Sequence, residues 1–207
     1  MRGFLSVTPD LDGSEGDPTP LWQQHAASIG RAIRDLPEKD SPLLVAHSGA
    51  GALLPPARES AGRPVGGYVF VDAGLPTANE PRKGSGEFAQ YLGELHAQGR
   101  RFPDWTGANL HDITDPGRRG ELLAELRPQP PRFWDESIPV FDGWPDAPCG
   151  YLRFAPNPAY DSAASEAIER GWAYREVQAG HFFILEDPVV VTDALVSLGR
   201  EMGIGGS

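Results

Sequence analysis

Four short apolar runs, separated by segments with helical spacing, constrain the fold of this chain more than any other feature. The runs lie at 43–47, 67–74, 150–156 and 172–180, and helical patterns cover 49–60, 161–170 and 188–202. The run that begins at Leu43 does not alternate with polar residues, which is typical of a parallel strand covered on both faces. This order predicts an α/β fold with a mostly parallel sheet flanked by helices.

The N-terminal segment predicts one further strand and one further helix. The strand covers 3–11, where β-branched and apolar residues precede a Pro-Asp turn. Apolar positions recur every four residues from Leu21 to Ile33 and predict a helix with Thr19 as its N-cap and Pro37 as its end.

Residues 76–146 interrupt the alternation of strands and helices. They contain helical stretches at 86–98 and 119–127 and are rich in aromatic residues, and they are far longer than a normal crossover. We therefore predict a helical cap at 76–146, inserted into a core made of 1–75 and 147–207. Most of its aromatic residues are expected to pack the cap onto the sheet. The residues expected to line a substrate pocket are His47, Phe102, Trp105, Trp134 and Phe182.

Composition excludes several classes of function for the 207 residues. The formal net charge of -11 argues against nucleic-acid binding, which needs concentrated Lys and Arg. The scarcity of lysine, only Lys39 and Lys83, suggests a bacterial source. Cys149 is the single cysteine and has no internal disulfide partner, and no run is long enough to span a membrane or resembles a signal peptide. We expect a cytoplasmic protein that acts on a small molecule, away from membranes and without a metal or cofactor.

The segment Ala46-His47-Ser48-Gly49-Ala50 has small residues two before and two after a serine, at the turn from a strand to a helix. A serine on such a tight turn has a strained backbone, so its neighbours must be small. The turn raises the Ser48 hydroxyl above the sheet and directs the Gly49 N–H to the place where an oxyanion develops. The pattern predicts a nucleophilic serine.

A nucleophilic serine needs a base, and five histidines are available. His181 follows the last strand, on the loop that enters the final helix, where α/β sheets place their catalytic groups. The other four occupy less suitable places: His25 on a helix face, His47 beside the serine, and His96 and His111 in the predicted cap. His181 is the favoured base.

The segments PDLDGSEGDPTP, LLVAHSGAG, GYVFVDAGLP and GHFFILEDP, in this order, resemble the α/β-hydrolase family with a serine nucleophile. The resemblance implies that Ser48 is the nucleophile, His181 the general base and the Gly49 N–H one oxyanion donor. It also implies that the chain starts near the family's fourth strand and lacks the first three. The family takes the second oxyanion N–H from the loop after its third strand, so here we expect this N–H to be absent or to come from an unusual place such as 11–18, with reduced activity.

The acid that orients the base has two candidates. The family's spacing leads to Asn157, and the nearest carboxylate is Asp161; Asp72, which ends the run VFVD, is the alternative. Asp161 is favoured and Asp72 stays open.

Two functions remain from this reasoning. The first is a serine hydrolase that acts through an acyl-enzyme on an ester, thioester or lactone of a small, largely apolar metabolite. The second is a non-hydrolytic protein on the same fold, either a lyase or cyclase of secondary metabolism or a binding protein with a vestigial site. The edge of the strand at 43–47 is expected to pair with 3–11, or otherwise with a second copy in a homodimer.

Overall fold

The sheet has four parallel strands in the order of the sequence. The computed structural model describes residues 4–11, 13–78 and 80–204. The strands are β1 (Leu43–His47), β2 (Gly67–Val71), β3 (Cys149–Ala155) and β4 (Ala173–Gln178), and each pairs with the next along the sheet. The predicted α/β fold with a parallel sheet is therefore confirmed.

Eight α-helices accompany the sheet in the described ranges: α1 (Leu21–Arg34), α2 (Leu54–Ala61), α3 (Glu87–Ala97), α4 (Pro116–Glu125), α5 (Pro131–Asp135), α6 (Asp161–Glu169), α7 (Phe183–Glu186) and α8 (Pro188–Glu201). None of the helices in these ranges is long and apolar enough to cross a membrane.

The core lies on both faces of the sheet. One face carries Tyr68, Phe70 and Tyr151, which pack with residues of α1, α2 and α6. The opposite face carries Leu152 and Phe154 with neighbouring valines, and α8 covers it. All five residues of β2 are buried, since this strand has a strand on each side and apolar layers above and below. The central strands thus form a rigid base for the loops at their carboxyl ends.

The helix predicted at 49–60 consists of two parts. Residues Ser48–Leu53 form a 3-10 helix, and the α-helix begins only at Leu54. Pro55 and Pro56 have no N–H, so they cannot make the bonds that would extend an α-helix back towards the serine. The tighter 3-10 winding fixes the backbone immediately after Ser48.

Two expectations for the N-terminal segment are wrong. Residues 4–11 form no strand, and Phe4 and Leu5 are 67% and 80% exposed; the remaining residue of the predicted strand, Gly3, lies outside the described residues. Within the described part of the chain β1 pairs only with β2. A strand needs a hydrogen-bonded partner, and 4–11 has none there. Pairing with a second copy stays a prediction.

Thr19 does not cap α1. The carboxylate of Glu136 accepts hydrogen bonds from the backbone N–H groups of Leu21 and Trp22, at 2.7 and 3.0 Å. A carboxylate from a distant segment thus satisfies the first N–H groups of the helix and complements its dipole. Sequence neighbours alone could not indicate this partner.

The segment 76–146, which we call the insertion, contains α3, α4 and α5 between β2 and β3. Its aromatic rings pack edge to face in one group, in which Phe102 contacts Phe88, Trp105 and Trp134 at centroid distances of 5.3–5.6 Å. The insertion also contacts the loop after β4, because the backbone N–H of Phe182 donates to Asp112. Its treatment as a separate cap domain stays a prediction.

Candidate active site

Ser48 lies directly after β1 in a left-handed backbone conformation. Its φ of 57° is one of two positive values among the described non-glycine residues; the other belongs to Asp72, with φ 41°. Such conformations are costly and concentrate at functional sites. A Cβ on Gly51 would lie 2.2 Å from the carbonyl oxygen of Gly74, so only glycine allows the turn to approach the loop after β2 this closely.

Asp72 lies directly after β2, the neighbour of β1. Its side chain is fully buried. The carboxylate accepts hydrogen bonds from the backbone N–H of Phe154 at 3.3 Å and from the Asn157 side-chain amide at 2.6 Å. These donors hold the buried carboxylate in one orientation, and they compensate part of the cost of burying its charge.

His181 connects the two strand ends. Its Nδ1 is 2.7 Å from Asp72 Oδ2, and its Nε2 is 3.1 Å from Ser48 Oγ. An ionised carboxylate can only accept, so Nδ1 carries the proton and Nε2 of the neutral ring is free to accept the Ser48 hydroxyl. The three side chains form one hydrogen-bonded series, the arrangement that activates serine for nucleophilic attack.

The preference for Asp161 is wrong on this geometry. Asp161 begins α6, its side chain is 60% exposed, and its carboxylate pairs with Arg153. Asp161 directly follows the 3-10 turn at Pro158–Tyr160, and the side chain of this turn that reaches Ser48 is that of Tyr160. Asn157, where the family's spacing leads, lies 3.3 Å from His181 Nδ1 and donates to Asp72 instead. The contact that we expected of Asp161 is made by Asp72.

His47 lies behind the site and not in the pocket where we expected it. Its Nε2 donates to the backbone carbonyl of His181 at 2.9 Å, and the two rings lie 4.4 Å apart. Burial, and to a smaller extent the nearby His181, lowers the pKa of His47 to about 4. His47 is therefore neutral at pH 7, and it supports the backbone of His181.

The remaining predicted pocket residues line one cavity with Ser48 and His181. This cavity has a volume of about 1650 Å³, and its wall includes Phe102, Trp105, Trp134 and Phe182. Trp105 and Phe182 meet edge to face at 5.3 Å, so the insertion and the loop of His181 form a continuous aromatic wall. Gly49 also lies on the cavity wall, exposed beside Ser48. Such a wall suits an apolar ligand.

Tyr160 contacts the site, and sequence reasoning missed it. Its hydroxyl is 3.0 Å from Ser48 Oγ, and its ring stacks on His181 at a centroid distance of 5.4 Å. The segment APNPAYDSAA drew attention only to its carboxylate. A signal was available, because this tyrosine lies on the loop between a predicted strand and the next predicted helix, just after two prolines. Loops at the carboxyl ends of strands are where α/β sheets place functional side chains.

In the residues described here, no group of three or more His, Cys, Asp or Glu side chains is arranged to hold a metal ion.

Comparisons with known proteins give a family and a fold. A sequence model described as "Alpha/beta hydrolase family" matches residues 2–194. A search of curated proteins gave no significant match.

Solved structures similar to this chain share its fold at low identity. An extracellular alpha/beta-hydrolase from a Paenibacillus species, described as sharing structural and functional homology with tobacco salicylic acid binding protein 2, is 17% identical, with a TM-score of 0.72 over 93% of this chain and 86% of its own. A tomato methylketone synthase I variant in complex with beta-ketoheptanoate is 11% identical, with a TM-score of 0.64 over 87% and 79%. A methylesterase from Arabidopsis is 15% identical, with a TM-score of 0.57 over 85% and 76%.

Proposed function

This chain belongs to the alpha/beta hydrolase family, and we propose that it hydrolyses an ester, thioester or lactone of a small, largely apolar metabolite through an acyl-enzyme. The observation that carries the proposal is the hydrogen-bonded series from Asp72 through His181 to Ser48. A methylesterase and a polyneuridine aldehyde esterase are among the similar structures, so esterases occur on this fold.

In the proposed reaction Ser48 Oγ attacks the carbonyl carbon of the substrate while His181 Nε2 takes the hydroxyl proton. Asp72 stabilises the imidazolium that forms, and it holds the ring in the tautomer that accepts at Nε2. The proton then passes to the leaving group, and an acyl group remains on Ser48. Water, activated by His181 in the same way, releases the acid product. The Gly49 N–H is proposed to donate to the developing oxyanion.

The aromatic wall supports an apolar substrate. Aromatic side chains supply large contact areas without demanding hydrogen bonds from the ligand. The cavity is larger than the roughly 300–1,000 Å³ of ordinary ligand pockets, so its volume does not restrict the substrate to the shortest acyl chains.

Replacing Ser48 tests the proposal directly. Ser48→Ala should abolish both hydrolysis of p-nitrophenyl butyrate and covalent labelling by an organophosphonate probe, whereas Ser165→Ala, at an exposed position in α6, should leave both unchanged. Labelling that persists in Ser48→Ala would assign the nucleophile to another residue.

A non-hydrolytic reaction is the second candidate. His181 lies next to two hydroxyl groups, those of Ser48 and Tyr160. The imidazole of His181 can also transfer protons to and from a bound carbonyl compound without an acyl-enzyme. A lyase or cyclase of this kind would keep turnover in Ser48→Ala and lose it in His181→Ala. A binding protein with a vestigial site would show no turnover in any variant.

A further inference from the structure

Tyr160 touches the oxygen atom that the proposed reaction uses as its nucleophile. It ends the 3-10 turn Pro158–Tyr160, which connects β3 to α6. Its hydroxyl lies 3.0 Å from Ser48 Oγ, as close as His181 Nε2 at 3.1 Å. The tyrosine ring stacks on the imidazole with an interplanar angle of 22°. Ser48 Oγ therefore has two hydrogen-bonding partners, and they face each other.

The order of protons among these groups follows from Asp72. Because the carboxylate fixes the proton of His181 on Nδ1, Nε2 must accept, and Ser48 must donate its only hydroxyl proton to it. The Tyr160 hydroxyl can then only donate to Ser48 Oγ. The bond from Tyr160 thus points to a lone pair of the oxygen that gains negative charge when the serine loses its proton.

Tyr160 retains its proton under ordinary conditions. Burial raises the pKa of its hydroxyl; the hydrogen bond to Ser48 opposes this shift, and the charge of Asp72 adds to it. A phenol of this kind is a hydrogen-bond donor at neutral pH and does not act as a base.

We propose that the Tyr160 hydroxyl is a catalytic hydrogen-bond donor, first to Ser48 Oγ during attack and then to the oxyanion of the tetrahedral intermediate. This inference rests on the proposed hydrolytic function. In the first step the bond from Oγ to the carbonyl carbon forms, the carbonyl π pair moves to oxygen, and the serine proton passes to His181. In the collapse the bond to the leaving group breaks, and the leaving group takes the proton from His181. Tyr160 keeps its proton throughout.

The reason for the transfer of this hydrogen bond is the loss of charge on Oγ. Once Oγ is bonded to carbon it is a poor acceptor, whereas the oxyanion on the same carbon carries the full negative charge. The oxyanion lies within reach of a donor that already contacts Oγ. The Gly49 N–H then supplies one donor and Tyr160 the second. From the sequence we expected the second donor to be absent or to come from an unusual place such as the loop at 11–18. Leu11 and Gly13 of that loop line the cavity.

Tyr160→Phe removes the hydroxyl and keeps the ring that stacks on His181. We expect kcat and kcat/KM for p-nitrophenyl butyrate to fall equally, by about 100- to 1000-fold, the usual effect of removing one oxyanion donor. KM should change little. Tyr174→Phe is the matched control, since that hydroxyl donates to Glu176 on β4, and this variant should hydrolyse the ester as fast as the original protein. Circular dichroism should show the same fold for both variants.

A transition-state analogue distinguishes oxyanion stabilisation from positioning of the serine. A trifluoromethyl ketone forms a tetrahedral adduct with an activated serine, and its affinity for Tyr160→Phe should fall by about the same factor as kcat/KM. Reduced activity with unchanged affinity for the ketone would overturn the proposed donor role, and so would hydrolysis by Tyr160→Phe at the original rate. Failure of the hydrolytic function itself would be seen separately, as ester hydrolysis that persists in Ser48→Ala.

Discussion

Asp72→Asn is the substitution that most directly tests the acid of the proposed site. An amide at this position can present its NH₂ group or its carbonyl to His181 Nδ1. If it presents the NH₂ group, the imidazole proton moves to Nε2, which can then no longer accept the Ser48 hydroxyl. If it presents the carbonyl, the imidazolium of the transition state forms without a compensating charge.

The expected effect is a fall in kcat of about 10⁴-fold, the loss measured when an amide replaces the acid of a serine triad. At 1.36 kcal/mol for each factor of ten, this corresponds to about 5 kcal/mol of transition-state stabilisation. The full effect is expected here because Asp72 is fully buried, so water cannot take over its stabilisation of the imidazolium. The rate of p-nitrophenyl butyrate hydrolysis measures this effect, with circular dichroism as a check on folding.

Asp161→Asn is the matched control. The side chain of Asp161 is 60% exposed, and its carboxylate pairs with Arg153. We expect hydrolysis within about twofold of the original rate, since the Asp161 carboxylate bonds to Arg153 and, among the described contacts, to neither Ser48 nor His181. An active Asp72→Asn together with an inactive Asp161→Asn would refute the assignment of the acid to Asp72.

The double variant Asp72→Asn/Asn157→Asp exchanges the carboxylate and the amide. Asn157 Nδ2 lies 3.3 Å from His181 Nδ1, so a carboxylate at this position is within reach of the same ring nitrogen. It should recover part of the activity that Asp72→Asn alone loses, because the imidazole regains a negative partner on the side of Nδ1. A double variant no more active than Asp72→Asn would mean that the buried position after β2 is essential.

Two further substitutions test the supports of His181. The pKa of His47 is lowered from its ordinary 6.5 to about 4, so on acidification the unfolded chain binds this proton before the folded protein does. The contribution of neutral His47 to the free energy of unfolding is therefore complete above pH 6.5 and is lost as the pH falls through about 4. Between pH 7 and pH 5 urea unfolding should show a loss of about 2 kcal/mol in the original protein that His47→Gln does not show, and equal losses would contradict it. Asp112→Ala leaves the backbone N–H of Phe182 without its acceptor, so hydrogen exchange at 180–183 should accelerate and kcat should fall, whereas Asp112→Asn, which retains a carbonyl acceptor, should lose much less; equal exchange in the two variants would rule out this role for Asp112.

Local sequence patterns indicated the sheet well, because its two central strands, β2 and β3, are buried over nearly all of their length. An apolar run such as the one from Tyr68 to Val71 has few alternatives to a central strand. The segment at 4–11 has a similar composition, but a strand also requires a partner, and composition carries no information about one. The prediction of the N-cap of α1 failed for the same reason, since its partner Glu136 is far away in the sequence.

The serine and the histidine were easier to find than the acid because their positions carry backbone signatures. Ser48 adopts a strained conformation that demands small neighbours, and Ala46 and Ala50 record this demand in the sequence. Asp72 is strained as well, with φ 41°, but aspartate tolerates the left-handed region better than most residues and needs no small neighbours. Its strain therefore leaves no mark in the surrounding sequence.

The choice between carboxylates depends on which strand ends meet, and this is a property of the sheet. β2 lies between β1 and β3, so the residue after β2 faces both the serine turn and the loop after β3. A side chain at the end of β2 and one at position 157 can therefore reach the same nitrogen of His181, as their distances of 2.7 and 3.3 Å demonstrate. The number of residues after β3 leads to position 157 and carries no information about Asp72. The two positions are 85 residues apart in the sequence and become neighbours only after folding. The acid can thus lie after either β2 or β3 in this fold, while the serine and the histidine keep their positions.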